Sequence, residues 1–192
     1  MNLLIWASDP PAGHCTLEGG YIPEADDMHL GQSVAGQIAK DLSYRMSDRF
    51  PDDIELSDNF RIAGQIVVSG KLKQYLEGVL KDERIEYLPV SIINHKDRVA
   101  STDYFILNSL DLVDCIDLKA SKVKWSPLDK TCVTSCKGLV FLPEALPARL
   151  RVFRPKHWGV NILIDEALAK DLVAQGFTGL HFFPAVGYNG IV

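Results

Sequence analysis

Apolar and polar positions follow one plan twice along this chain. Ile66-Val67-Val68-Ser69 is an apolar run closed by a hydroxyl, after which Leu72, Tyr75, Leu76, Val79 and Leu80 recur at helical spacing. Ile85-Glu86-Tyr87-Leu88-Pro89-Val90 then alternates as a short strand does. Ile162-Leu163-Ile164-Asp165 opens a second copy, Leu168 and Leu172 repeat the stripe, and Leu180-His181-Phe182-Phe183-Pro184 closes it. Each copy predicts strand, capped helix, strand. Ser69 and Asp165 are the caps, because their side-chain oxygens can accept from the free N–H groups of a first helical turn. Asp165 falls 96 residues after Ser69, and Gly176 stands where the second helix should stop. Duplication explains the match, and so does convergence, since strand–helix–strand units share these rules.

Around these units the pattern is mainly extended. Leu3–Trp6 reads as a strand, Asp9–Gly20 as a Pro- and Gly-rich loop, and Val34–Arg49 as a helix ending near Pro51. Tyr104–Leu107 and Leu110–Ile116 are the most strand-like run, broken at Asn108-Ser109. Further strands are expected at Lys122–Trp125, Cys132–Cys136, Gly138–Leu142 and Leu150–Phe153, with a helical turn at Pro143–Pro147. Helices on a mostly β scaffold predict an α+β fold with a mixed, mostly antiparallel sheet; an α/β sheet is the alternative. The expected organisation is a single domain over 1–192: a loop-rich extension with one helix at 1–59, and a core at 60–186.

Composition narrows the function classes. The hydrophobic fraction, 47%, is enough for a core without disulfides or metal. No apolar run is long enough to cross a bilayer, and the start lacks a basic segment before its apolar residues. The chain is therefore expected in the cytoplasm, away from membranes. A net charge of −5 argues against nucleic acid, because binding phosphates takes clustered Lys and Arg.

Acidic residues crowd between 48 and 58, and Asp52, Asp53, Glu55 and Asp58 are the candidate partner contacts. The stretch is either a solvated loop or a contact surface for a basic partner.

Candidate chemistry is sparse. His14 and Cys15 are adjacent, but neighbouring loop side chains diverge and no orienting group follows. Cys132 and Cys136 lack a second pair, so no metal and no cofactor are expected. Asp114 and Asp117 suit turn-making better than a shared proton. His157-Trp158 reads as a turn with a core-anchoring Trp, and no phosphate-binding glycine motif is present.

The order of several short segments carries a resemblance. Ile66–Leu72 precedes Ile85–Val90; Tyr104–Asn108 leads to Val113–Ser121; Phe153-Arg154 comes before Ile162–Asp165; Gly176–Phe182 closes the series. In this order, over about 60–186, the chain resembles a bacterial immunity-protein family found beside polymorphic toxins. That resemblance implies a non-enzymatic protein that binds and neutralises a cognate toxin in the cell that makes it, and it brings no catalytic residues. The alternative is a small enzyme built around Cys15 or Cys115 with a histidine.

Overall fold

The computed structural model describes residues 2–19, 22–38 and 41–190. In chain order the elements are β1 (Leu3–Ser8), β2 (Leu17–Glu18), α1 (Ala25–His29), β3 (Ser43–Met46), β4 (Asn59–Ile62), β5 (Gln65–Ser69) and α2 (Gly70–Val79). They continue with β6 (Ile85–Ile93), β7 (Val99–Ser109), β8 (Leu112–Val113), β9 (Lys124–Trp125), β10 (Val133–Ser135) and a 3-10 turn at Pro143–Ala145. The last are β11 (Val152–Pro155), β12 (Leu163–Asp165), α3 (Glu166–Ala174) and β13 (Leu180–Pro184).

Both strand–helix–strand units form, and both are split by a third strand. β5 and β6 each pair antiparallel with β7, which lies between them. β12 and β13 each pair antiparallel with β1, which lies between those two. Each helix thus joins two parallel strands across an inserted antiparallel one. The first unit grows into a six-stranded sheet, β2-β3-β6-β7-β5-β4, and the second into a five-stranded sheet, β13-β1-β12-β11-β8. Most pairings are antiparallel, while β3–β6 and β11–β8 are parallel. This is an α+β fold.

The predicted caps are in place. Ser69 Oγ accepts from the Leu72 N–H, and Asp165 Oδ1 accepts from Ala167 and Leu168. Gly176 takes φ +77°, the left-handed conformation that ends α3. Alternating side chains sort the core into layers. Ile66, Val68 and Leu107 of one sheet and Trp6, Ile164 and Val152 of the other close on Leu72, Leu76, Leu168 and Leu172 of the helices. On the far face of the six-stranded sheet, Val67, Leu88, Val90 and Ile106 pack under the N-terminal segment with Met28, Val34 and Tyr44. On the far face of the other sheet, Leu3, Ile5, Phe153 and Leu163 meet Cys115, Leu139 and Trp158.

The helix expected at Val34–Arg49 does not form. The Glu86 carboxylate accepts from the Val34 and Ala35 N–H groups and from Ser33 Oγ, fixing a turn there, and Gly36 sits at φ +80°. Ser43–Met46 is instead recruited as β3 beside β6, and the only helix before residue 60 among the described residues is α1. Ala39 and Lys40 lie outside the described residues, as does Gly20 of the predicted Asp9–Gly20 loop, which itself contains β2. Asn108-Ser109 does not interrupt β7. The break comes after it, where Asp111 accepts from the Arg84 backbone N–H and Nε, leaving β8 as two residues of the expected Leu110–Ile116 strand. Gly138–Leu142 forms a single bridge, Ile116 to Phe141, because Leu139 exchanges hydrogen bonds with Gly187 and Tyr188 instead.

Candidate partner-binding surface

The acidic stretch leaves β3 and returns to β4 as a loop pinned along its length. Ser47 N–H donates to Thr16 O at 2.9 Å, and Ser47 Oγ to Glu18 Oε2 at 3.0 Å. Cys15 N–H donates to Glu55 O at 2.8 Å, and Glu55 N–H to Gly13 O at 3.1 Å. The His95 ring lies 3.4 Å from Asp48 Oδ1 and 3.5 Å from Asp53 O, holding the β6–β7 hairpin against the loop. A loop so held presents its outer side chains without first having to order them.

Those outer side chains mix charge with apolar surface. Asp52 and Glu55 are exposed and Asp53 is half-buried. Phe50, just ahead of them, is 52% exposed, and Ile54, between Asp53 and Glu55, is 63% exposed. Pro51, Asp52, Ile54 and His95 border a cleft of about 480 Å³ between loop and hairpin. Exposed aromatic and aliphatic anchors beside charged side chains are what a protein interface uses, the first for desolvated contact and the second for steering.

Asp58 behaves differently from its neighbours. Its Oδ1 accepts from Ser69 Oγ at 2.8 Å, and its Oδ2 accepts from the Thr178 N–H at 3.0 Å and the Thr178 hydroxyl at 3.2 Å. Both carboxylate oxygens are therefore engaged within the protein, and the residue ties the α2 cap to the segment before β13. No local pattern could have revealed this, because Thr178 is 120 residues away.

The loop also assembles a constellation that sequence spacing did not reveal. His14 Nδ1 is 2.9 Å from Ser57 Oγ, and His14 Nε2 is 3.4 Å from Glu55 Oε2. Serine, imidazole and carboxylate in this order are the parts of an acyl-transfer relay. Ser57, however, is 0% exposed, and its carbonyl accepts from the Tyr104 hydroxyl at 2.8 Å. A nucleophile must reach its substrate, and this hydroxyl faces only protein. The trio fastens the 9–16 segment to the acidic loop.

The other candidates also take structural roles. Burial pushes the Cys15 thiol up to about 11 and the Cys115 thiol up to about 12, so neither supplies a thiolate at neutral pH. Cys132 is exposed, whereas Cys136 is buried and its Sγ donates to Tyr188 O at 3.1 Å. Among the described residues no group of three or more His, Cys, Asp or Glu side chains is arranged to hold a metal ion. Asp114 pairs with Lys156 at 2.8 Å, and Asp117 accepts from the Ala120 N–H, closing a turn. Trp158 is buried in the core, and His157 packs edge-on to Trp125.

Residues 18–187 match the model of an immunity protein family, Imm11. The chain belongs to that family. No curated protein matches it. The Imm11 match begins well before residue 60, so β3, the acidic loop and β4 are family structure and not an appendage, contrary to the narrower span of the sequence resemblance. Among the strands of the described residues, β1 alone lies wholly ahead of the region that matches Imm11. No helix of the described residues is long and apolar enough to cross a membrane.

Proposed function

We propose that this Imm11 protein binds a cognate toxin in the cytoplasm of the cell that makes it and neutralises the toxin by covering its working surface, without catalysis of its own. Membership of an immunity family carries the proposal. The acidic loop supplies its physical means: Asp52, Asp53 and Glu55 attract a basic surface, and Phe50 and Ile54 supply desolvated contact once it has docked. Asp58 supports the loop from inside. A basic toxin surface fits a nuclease-type target, whose own substrate is polyanionic.

Co-expression tests this directly. Produced alone, the cognate toxin should stop growth, and adding this chain should restore it with the two proteins co-purifying in fixed ratio. Restored growth without a complex would contradict neutralisation by covering the toxin.

A further inference from the structure

We propose that the β9–β10 ribbon is a peripheral membrane contact, which lays its lysines on the headgroups of an anionic bilayer and sets Leu128 and Trp125 into the interface. The ribbon is a sheet of its own, apart from the two large ones. Although the whole chain is acidic, residues 119–137 hold five lysines, Lys119, Lys122, Lys124, Lys130 and Lys137, against the single acid Asp129. All five are exposed, and none is in an ion pair among the described residues. Backbone hydrogen bonds stitch their segments together. Lys122 N–H donates to Lys119 O at 3.2 Å, Lys137 N–H to Ser121 O at 3.0 Å, and Ser126 N–H to Cys132 O at 2.8 Å. From outside the ribbon, Asp26 of α1 acts on Cys132 with its charge, one acid against five cations.

Between β9 and β10 the chain turns with an apolar side chain held out in water. Leu128 is 96% exposed, more than any other large hydrophobic residue described. Its place is fixed by the turn. Ser126 Oγ accepts from the Leu128 and Asp129 N–H groups, and Asp129 Oδ1 accepts from the Thr131 N–H and hydroxyl. A leucine kept in water costs free energy that covering it would return. Trp125, where β9 enters the turn, is 37% exposed; it lies opposite Val133 and edge-on to His157 at 5.5 Å.

Charge and apolar surface together select the occupant. Basic residues in clusters of about four to eight hold to anionic lipid. Leucine and tryptophan beside them suit the interface, where an apolar side chain reaches the acyl chains and an indole sits at headgroup level. A nucleic acid would match the lysines but offers Leu128 nothing, and Trp125 is already in ring contact with His157. An acidic protein would need a pocket shaped to Leu128, whereas a fluid bilayer takes an apolar side chain of any shape. The ribbon packs with the layer over the five-stranded sheet and the acidic loop with the layer over the six-stranded one, so they are separate surfaces. Such a contact lies on the bilayer without crossing it. The length of apolar runs, from which the chain was expected away from membranes, bears on crossing alone.

Sedimentation of the full chain with vesicles tests this, using phosphatidylcholine alone and a mixture in which about 40% of the lipid is phosphatidylglycerol. The chain should bind the anionic vesicles at least about tenfold more tightly than the neutral ones, and raising salt from about 50 to about 500 mM should release it. Fluorescence reads the tip itself. Of the three tryptophans, Trp6 and Trp158 are buried, so a blue shift on anionic vesicles belongs to Trp125. Leu128→Ser, at an open position, should weaken binding at least about fivefold and leave the melting temperature unchanged. Lys124→Glu with Lys130→Glu should weaken it at least about tenfold. No binding to anionic vesicles at low salt overturns the inference. So does binding without the Trp125 shift, or binding that Leu128→Ser leaves unchanged, because charge alone then holds the chain. Tighter association with a mixed-sequence RNA oligomer than with the vesicles assigns the lysines to a polyanion and overturns it as well.

Discussion

His29, at the end of α1, shows what one buried side chain can do to the whole chain's acid response. Its Nε2 is shut from solvent with no hydrogen-bond partner, beside Gly64. Burial, and then the nearby Arg154 guanidinium, lower its pKa from 6.5 to about 4, against a small opposing pull from Asp26. A histidine depressed on folding binds its proton more readily in the unfolded chain. Stability contributed by neutral His29 is therefore full above pH 6.5 and falls as the pH drops from 6.5 towards 4. The loss over that window is on the order of 3 kcal/mol. Thermal melts of wild type and His29→Gln across this range check it: the variant should lose less stability with acid than the wild type, and parallel curves would refute the assignment. The leucines at the centre of the helix stripes make a simpler case. Leu76 and Leu172 are both fully buried in the shared core. Either one changed to Ala should cost about 2 to 5 kcal/mol in chemical denaturation, a loss smaller than 1 kcal/mol meaning that the site collapses around the gap. These residues were legible because helix periodicity and capping are local physics. Asp58 was not, since the same carboxylate that looks solvated in a run of acids is completed by Thr178, far along the chain.

Among the elements, β1 has the most consequence for its length. It is the middle strand of the second unit, pairing with β12 on one side and β13 on the other, and it carries Trp6 into the core between the sheets. A chain starting at residue 18, where the family match begins, leaves β12 and β13 with no strand between them. Such a shortened chain should lose the cooperative thermal transition that the full chain shows in calorimetry. A sharp transition within a few degrees of the full chain's would mean that β1 is dispensable, since removing a central strand costs far more than a single side chain. The pattern of apolar positions marked β1 as a strand yet said nothing of its partners, because pairing across most of a chain leaves no local trace. The failed helix at 34–49 has the same origin. Its apolar spacing was real, but Glu86 on β6 captures its first N–H groups and β6 itself offers Ser43–Met46 a sheet edge. Tertiary hydrogen bonds outweigh a helix propensity worth tenths of a kcal/mol per residue.

At the scale of the whole molecule, two sheets enclose both helices, and the outer faces are covered by the N-terminal segment on one side and the 114–150 region on the other. That construction leaves the pinned acidic loop standing clear of the core. The α+β class and both repeated units could be read from the chain because each rests on short-range pattern. The acidic stretch could be located but not interpreted, since its rigidity comes from His14, Thr16, Gly13 and His95, which only the fold brings to it. The central claim is that this loop meets a basic toxin. Association kinetics of the purified pair, measured over a series of salt concentrations, test it most directly. Asp52→Lys with Asp53→Lys should slow association by about tenfold or more and flatten its dependence on salt, while the melting temperature stays unchanged. A doubly reversed protein that still associates at the wild-type rate, with the same salt dependence, would contradict the account.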